Sequence, residues 1–324
     1  MKSCWIRTEN EKTILEFRDV PVPQPKPGEL VVRVHATSLN RGELIVGSVM
    51  HGGPSKLGGT EASGVVHAVG EGMTAVKPGD RVMGRARGGF AEYALMDAHE
   101  AMPIPARLTW EQAAAGSATF LAAYDALFPY GQLKRGEWLL VTGASSGAGV
   151  ASIQIGKVIG ARVIGTSGSA EKLQKLKEIG LDVGIRTRGA DFGERVKEVT
   201  GGKGANLVVN CVGGSLFPEC MRALAYQGRL ATVGYVDGVY RSEIDLGTLH
   251  ANRYVVFGVS NSRLGPQGRA ETVRGFVRDV LPAFADGRIT PVIDRVFAFN
   301  ELPAAKDYME SNAQVGKIVV RAPY

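Results

Sequence analysis

The segment Val141-Thr-Gly-Ala-Ser-Ser-Gly-Ala-Gly149 is where the residue types point most directly to chemistry. Residues this small leave the backbone uncovered, so peptide groups can come close to a pyrophosphate. An apolar run, Trp138-Leu-Leu-Val-Thr142, precedes the segment, and a helical pattern reaching Ile159 follows it. A strand that enters a helix through such a turn offers an anion the helix's free N–H groups and the positive end of its dipole. The chemistry implied is dinucleotide binding. A tight turn that needs small residues only for packing is the competing reading.

A second turn, Gly165-Thr-Ser-Gly-Ser-Ala-Glu-Lys172, decides which dinucleotide. An Asp or Glu at the end of the second strand would bind the ribose 2′-OH and repel a 2′-phosphate. Here serines stand near the strand end, Lys172 sits on the first helical turn, and Glu171 lies beyond the usual acidic position. Hydroxyls and a cation suit a phosphate dianion, and Arg186 or Arg188 after the third strand could add a second charge. The expected cofactor is NADPH rather than NADH. A solvated helix lysine is the alternative for Lys172.

Positioning these turns requires a particular scaffold. From Glu137 onward, runs such as Ala161-Arg-Val-Ile-Gly165, Leu207-Val-Val-Asn210, Arg229-Leu-Ala-Thr-Val-Gly234 and Tyr254–Ser260 alternate with helical stretches, one of them spanning Ser169 to Ile179. Strands apolar throughout and joined by crossover helices predict a doubly wound parallel sheet, a Rossmann fold. Before it, to about Pro105, short extended runs broken by Gly and Pro read as a small β-rich domain. At Thr109-Trp-Glu-Gln112 a capping box starts a helix expected to run to Leu127. The tail, with a helix over Arg269–Asp286 and strands near Pro291–Phe299 and Gly316–Arg321, reads as returning to the first domain.

Composition sets the outer limits. The 324 residues are 44% hydrophobic and 22% charged, enough for two domains with a core in each. Lys and Arg number 38 against 32 Asp and Glu, a surplus that suits an anionic cofactor without any block of like charge. No basic-aromatic stripe or zinc-finger spacing argues for nucleic acid. No run approaches the roughly 18 apolar residues of a membrane span. Three cysteines, Cys4, Cys211 and Cys220, argue against a disulfide framework and for a reducing cytoplasm. Cys211, inside an apolar run, reads as a buried inert thiol rather than a nucleophile.

Pro27-Gly28-Glu29, Ser38-Leu39-Asn40, Gly59-Thr-Glu-Ala-Ser-Gly64, Lys77-Pro-Gly-Asp-Arg-Val82, the Gly143–Gly149 turn and Val212-Gly213-Gly214, in this order, resemble the zinc-independent quinone oxidoreductase branch of the medium-chain dehydrogenase/reductase superfamily. The resemblance spans nearly the whole chain. It implies a GroES-like β-barrel catalytic domain over 1–123 and 263–324, and a Rossmann NADPH-binding domain over 124–262. It further implies an active site in the cleft between the domains and a homodimer formed through Rossmann edge strands. Relatives that use catalytic zinc carry Cys where this sequence has Asn40 and His where it has Thr60. The five histidines, His35, His51, His67, His99 and His250, show no metal spacing, so no metal is expected.

Carried over residue by residue, the resemblance puts Asn40 near the nicotinamide ribose and Thr119 and Tyr124 beside the nicotinamide. It puts Ala144, Ser146, Gly147 and Ala148 at the pyrophosphate. Ser167 and Lys172 would hold the 2′-phosphate, and Val212, Tyr235, Val236, Phe257, Val259 and Lys317 would complete the cofactor cleft. Plain alternatives stand beside several of these: Asn40 as a turn cap, Tyr124 as core, Lys317 as an exposed strand-end charge. Two departures affect specificity. A Tyr common after the Asn is missing from Asn40-Arg41-Gly-Glu43-Leu-Ile45, and Thr187 stands where relatives often carry a Tyr near the adenosine phosphate.

Hydride transfer requires orientation and charge stabilisation from the protein, not a nucleophile. The expected reaction is reduction by NADPH of a quinone or an α,β-unsaturated carbonyl, with Asn40 and Arg41 as candidate catalytic residues and Arg41 as the donor to the developing oxyanion. A surface charge is the alternative for Arg41. A short-chain dehydrogenase shares the Thr-Gly-x-x-x-Gly-x-Gly turn, but its Tyr-x-x-x-Lys pair belongs downstream of that turn, and Tyr130 to Lys134 lies upstream. A different class of reading is an NADPH-binding structural, sensing or RNA-binding protein with little catalytic activity.

Overall fold

The computed structural model describes residues 1–10, 12–44, 55–260 and 264–324. His51 and Ile45 lie outside the described residues, as do the positions at the expected 262/263 boundary. Two compact units divide the chain, one formed by Met1–Thr119 with Leu264–Tyr324, the other by Phe120–Arg263. The first division therefore falls at 119/120 rather than 123/124.

In chain order the first unit contributes β1 (Lys2–Glu9), β2 (Lys12–Asp19), β3 (Glu29–Ser38), the single turn α1 (Arg41–Leu44), β4 (Lys56–Leu57), β5 (Glu61–Val69), β6 (Arg81–Arg85), β7 (Tyr93–Asp97), β8 (Ala101–Pro103) and α2 (Trp110–Ala115). Helix α3 (Ala118–Leu127) crosses into the second unit. That unit continues with β9 (Trp138–Thr142), α4 (Gly147–Ile159), β10 (Arg162–Ser167), α5 (Ala170–Lys177), β11 (Val183–Arg186), α6 (Gly193–Val199), β12 (Ala205–Asn210), α7 (Phe217–Arg222), β13 (Leu224–Thr232), α8 (Leu246–Asn252) and β14 (Val255–Gly258). The chain then returns to the first unit through α9 (Pro266–Asp279), α10 (Leu281–Ala285), β15 (Ile293–Phe297), α11 (Leu302–Glu310) and β16 (Lys317–Arg321).

In the first unit, β1 lies between β2 and β4, while a larger sheet runs β15-β16-β3-β5-β6-β8 with β7 also on β3. Strand β3 is its axis. Leu30, Val31, Val32, Val34 and Ala36 are fully buried there, on both faces of the strand. Burial of each large aliphatic side chain contributes roughly 1.5–3 kcal/mol. Residues 36–38 of β3 pair with β16, which places Asn40, just beyond, next to the start of β16.

The capping box forms as expected. The Gln112 N–H donates to Thr109 Oγ1 (3.2 Å), and the Thr109 N–H donates to Gln112 Oε1 (3.1 Å). The single helix expected to Leu127 is instead broken after α2. Gly116 caps α2, its N–H on the Gln112 and Ala113 carbonyls, at a point where Phe284 and Pro291 leave no room for a Cβ, and the Ser117 hydroxyl turns to Glu61 and the Ala114 carbonyl. The tail helix is likewise two helices, divided at Val280, with Pro282 in the first turn of the second. Proline lacks the N–H that an uninterrupted helix needs there.

The second unit holds one six-stranded sheet ordered β11-β10-β9-β12-β13-β14, parallel throughout. Numbered from β9, this is the 3-2-1-4-5-6 order of a Rossmann fold, whose switch point lies between β9 and β12. Helix α8 had no counterpart in the sequence reading, because it buries none of its residues and so leaves no apolar stripe to read.

Candidate functional site

Strand β9 leads into Gly143, whose φ of +58° is left-handed and favours glycine. Ser146 caps α4, its Oγ accepting from the Gly149 N–H at 3.1 Å. The Ser146 N–H donates to the Gly143 carbonyl (2.9 Å), and that of the buried Ala144 to the Thr166 carbonyl (3.0 Å). A Cβ on Gly149 would lie 2.6 Å from the Ala144 carbonyl oxygen, so this backbone approach requires glycine. The N–H groups of Gly147 and Ala148 have no protein acceptor among the described residues. Ser146, expected at the pyrophosphate, thus spends its oxygen on the helix, and the free donors are those of the next two residues.

A buried pair missed by sequence reasoning fixes the other side of the switch point. Thr142 Oγ1 donates to Asn210 Oδ1 (2.9 Å), and Asn210 Oδ1 also accepts from the N–H groups of Val212 (3.0 Å) and Gly213 (3.2 Å). The Cys211 N–H returns to Thr142 Oγ1 at 3.1 Å. The loop after β12 is thereby tied to the end of β9, with Val212 at Gly143. The signal was a polar residue closing a run of three apolar ones at the end of each strand, Leu139-Leu-Val-Thr142 and Leu207-Val-Val-Asn210.

At the next strand end, Ser167 on β10 is in register with Arg186 on β11. Ser167 Oγ accepts from the Ser169 N–H (3.3 Å), and Ser169 Oγ caps α5 through the Lys172 N–H (3.3 Å). The Arg188 side chain lies across Gly168, where a Cβ would meet its Cγ at 2.6 Å. Arg186 and Arg188 are exposed and form no ion pair among the described residues. Glu171 is engaged by Lys175 (3.0 Å), and the carboxylate of Asp191 takes the Thr187 hydroxyl.

The remaining expected cofactor residues are less closely gathered. The Val212 carbonyl accepts from the Asp237 N–H (3.0 Å), which draws in the segment bearing Tyr235 and Val236, both 44% exposed. Val259 is buried, its N–H on the Thr232 carbonyl (3.0 Å). Phe257 sits on edge strand β14 near Tyr130, with ring centroids 6.0 Å apart. Tyr124 is buried with its ring stacked on Phe128 at 4.9 Å, as the core alternative has it.

The first unit contains a second polar constellation. Glu61 is fully buried and accepts five hydrogen bonds. Oε1 receives the Ser38 hydroxyl, Asn40 Nδ2 (2.7 Å) and Lys317 Nζ (2.9 Å), and Oε2 receives the Ser117 hydroxyl (2.7 Å) and the Ala118 N–H (2.8 Å). Burial alone would raise the carboxyl pKa, but Lys317 and the hydroxyls outweigh it and hold the group below its ordinary value. Lys317 Nζ also donates to the Leu39 carbonyl (2.9 Å) and Asn40 Oδ1 (2.8 Å). Its three protons are spent and it is buried, so it is not the exposed strand-end charge of the alternative. Asn40 is held by both ends of its amide, since Nδ2 donates in addition to Thr60 Oγ1 at 3.2 Å.

Glu43 on α1 adjoins this network. Its Oε1 accepts from the Gly59 N–H (2.7 Å) and its Oε2 from the Thr60 hydroxyl (3.2 Å). Burial pushes its pKa up to about 7, against the pull of the Gly59 N–H and Lys56. Arg41 departs from its expected role. Its Nη2 donates to the Met309 carbonyl (2.7 Å) and Asn312 Oδ1 (2.6 Å), so the guanidinium is anchored at the end of α11 rather than joined to the Asn40 network. Thr119 Oγ1 is buried and has no hydrogen-bond partner among the described residues.

Among the described residues no group of three or more His, Cys, Asp or Glu could hold a metal ion, and no helix is long and apolar enough to cross a membrane. His35 stacks on Trp110 at 4.3 Å and His67 meets Tyr93 edge-on at 5.0 Å. Cys211 is buried, and desolvation pushes its thiol up to about 12, as befits an inert group.

A family model for the alcohol dehydrogenase GroES-like domain matches residues 26–106, and one for zinc-binding dehydrogenases matches residues 147–277. The human synaptic vesicle membrane protein VAT-1 homolog is 31% identical over 328 residues, covering 96% of this chain and 83% of that protein. A highly-reducing polyketide synthase 1 from Aureobasidium melanogenum is 30% identical over 304 residues, covering 92% of this chain, which spans 14% of that longer protein. The structure of Escherichia coli quinone oxidoreductase complexed with NADPH matches with a TM-score of 0.88 at 27% identity, covering 99% of this chain and 100% of that one. With its GroES-like and Rossmann units, the chain belongs to the quinone oxidoreductase branch of the medium-chain dehydrogenase/reductase superfamily.

Proposed function

We propose that the protein is an NADPH-dependent reductase that delivers hydride to a quinone or to the β-carbon of an α,β-unsaturated carbonyl, without zinc. The observation that carries this is the pair of uncommitted N–H groups at Gly147 and Ala148, with Ser167, Arg186 and Arg188 clustered at the neighbouring strand ends. The residues fit the cofactor. Gly149 lets the first turn of α4 pack directly on the Ala144 backbone, the helix start attracts the pyrophosphate, and two guanidiniums with a serine suit the 2′-phosphate. Lys172 joins them from the first turn of α5.

NADPH supplies the hydride when bound. The protein's contribution is to bind, orient and stabilise charge. In the Rossmann unit the Thr142–Asn210 pair keeps Val212 beside the glycine turn, fixing one wall against the cofactor. In the other unit Glu61 and Lys317 orient the Asn40 amide, while Arg41 is anchored at the end of α11 through its Nη2. The zinc-free reading rests on the donor set. Positions 40 and 60 carry an amide and a hydroxyl, already hydrogen-bonded to each other, where a zinc site needs thiolate or imidazole.

The rest of the reading is a cytoplasmic homodimer paired through the β14 edge, where Val255 is 50% and Val256 37% exposed. Light scattering measures the dimer directly. For the activity, fluorescence titration with NADPH and NADH is paired with NADPH oxidation over a panel of quinones and enones. Tight, NADPH-selective binding with turnover is expected. Absence of saturable binding defeats the proposal, and binding without turnover returns the structural or sensing alternative.

A further inference from the structure

The hydrogen of the Thr60 hydroxyl can point in two directions, and its neighbours decide which. Thr60 Oγ1 lies 3.2 Å from Glu43 Oε2 and accepts from Asn40 Nδ2 at 3.2 Å. Asn40 cannot turn, because Lys317 Nζ holds its oxygen at 2.8 Å and Glu61 holds its nitrogen at 2.7 Å. Glu43 Oε1 is fixed by the Gly59 N–H at 2.7 Å, on a backbone kept in place by glycine, since a Cβ on Gly59 would lie 2.2 Å from the Phe90 nitrogen. This leaves Glu43 Oε2 facing the hydroxyl. When Glu43 is a carboxylate, Thr60 donates inward to it. When Glu43 is protonated, Oε2–H donates to Thr60, whose own hydrogen is released outward. Glu43 is buried, while Thr60 retains partial exposure.

We infer that Thr60 is the proton donor of the reductase proposed above and that Glu43, behind it, is the positioning residue that refills it. This rests on that reading. Hydride adds to the β-carbon of the acceptor, the carbon–carbon π pair moves to form the enolate, and the enolate takes the proton of Thr60 Oγ. The Oε2 proton of Glu43 passes to Thr60, and water reprotonates Glu43. One hydride and one proton are consumed per turnover. Among the described residues the charged and titratable groups facing Glu43 are Lys56, Glu61, Cys4 and Arg85, and the desolvation that lifts its pKa to about 7 keeps the acid form populated at neutral pH.

Infrared titration of the protein without acceptor tests the reservoir apart from turnover. A carbonyl stretch of a protonated carboxyl should vanish as pH rises through neutrality, be absent in Glu43→Gln and shift in Thr60→Val. Enone reduction tests the relay. Both variants should lose about 100-fold in kcat, within the range of general acid catalysis, with NADPH affinity retained as a control for folding. The wild-type kcat should fall above pH 7 and lose that dependence in Glu43→Gln, while Thr60→Ser should recover most of the activity. No titrating band in the wild type, an unchanged pH profile in Glu43→Gln, or full activity in Thr60→Val overturns the relay. Wild-type protein inert towards every acceptor instead defeats the reductase reading, and the infrared result then stands as a property of the fold alone.

Discussion

Lys317 Nζ and Glu61 Oε1 meet at 2.9 Å across 256 residues of sequence, both closed off from solvent. A buried pair of this kind is costly to break from one side, because the remaining charge has nowhere to go. Lys317→Met should therefore destabilise the protein by about 3–5 kcal/mol, measured by urea unfolding. The double variant Glu61→Gln/Lys317→Met should recover part of that loss. Equal losses in single and double variants would mean the pair is not coupled.

Cofactor choice should respond to the β10 and β11 strand ends. Arg188→Ala removes a charge-assisted contact worth roughly 1.5–3 kcal/mol, so the NADPH dissociation constant should rise roughly 10- to 100-fold while that of NADH stays level. Ser167→Asp should reverse the preference through repulsion of the 2′-phosphate. A parallel loss for both nucleotides would place these residues away from that phosphate.

Gly149→Ala should damage binding and stability together. The new Cβ meets the Ala144 backbone, which cannot swing aside as a side chain could. A loss of about 1–3 kcal/mol is expected from overpacking, with NADPH affinity falling in the same titration. Retained affinity would show that the turn is more tolerant than its packing indicates.

Glu43 and Glu61, buried carboxyls of the first unit, predict opposite pH slopes. Glu61 is held below its ordinary value, so its stabilisation is present above the carboxylate range and is lost as pH falls through its lowered pKa. Glu43 is raised from 4.5 to about 7, so its contribution is full below 4.5 and declines as pH rises to about 7. Denaturation measured from pH 4 to 8 should show that decline in the wild type and a flatter curve in Glu43→Gln.

All three thiols should resist modification in the folded state. Cys4, Cys211 and Cys220 are buried, and burial raises each thiol's pKa, for Cys4 and Cys211 to about 12. A disulfide reagent should label none until the protein is unfolded; rapid labelling of any one would contradict its placement.

The sequence by itself determined the strand-turn-helix at Val141–Gly149, the parallel sheet and the capping box at Thr109, because each depends on residues a few positions apart: small residues at a turn, apolar runs, a hydroxyl three residues before its partner. It also exposed the lack of an acidic residue at the β10 end. Only the tertiary structure decided what distant side chains do to one another. Local pattern carries no information about a contact between residues 61 and 317, so Lys317 read as a cofactor ligand or a surface charge, when the fold buries it against Glu61 and Asn40. Arg41 looked free for catalysis until α11 supplied its acceptors. Glu43 drew no notice, since nothing in Arg41-Gly-Glu-Leu44 says that the Gly59–Thr60 turn will close over its carboxyl and take it out of water. Desolvation and long-range pairing arise when the chain is packed, and they set the charge state on which the proposed chemistry turns.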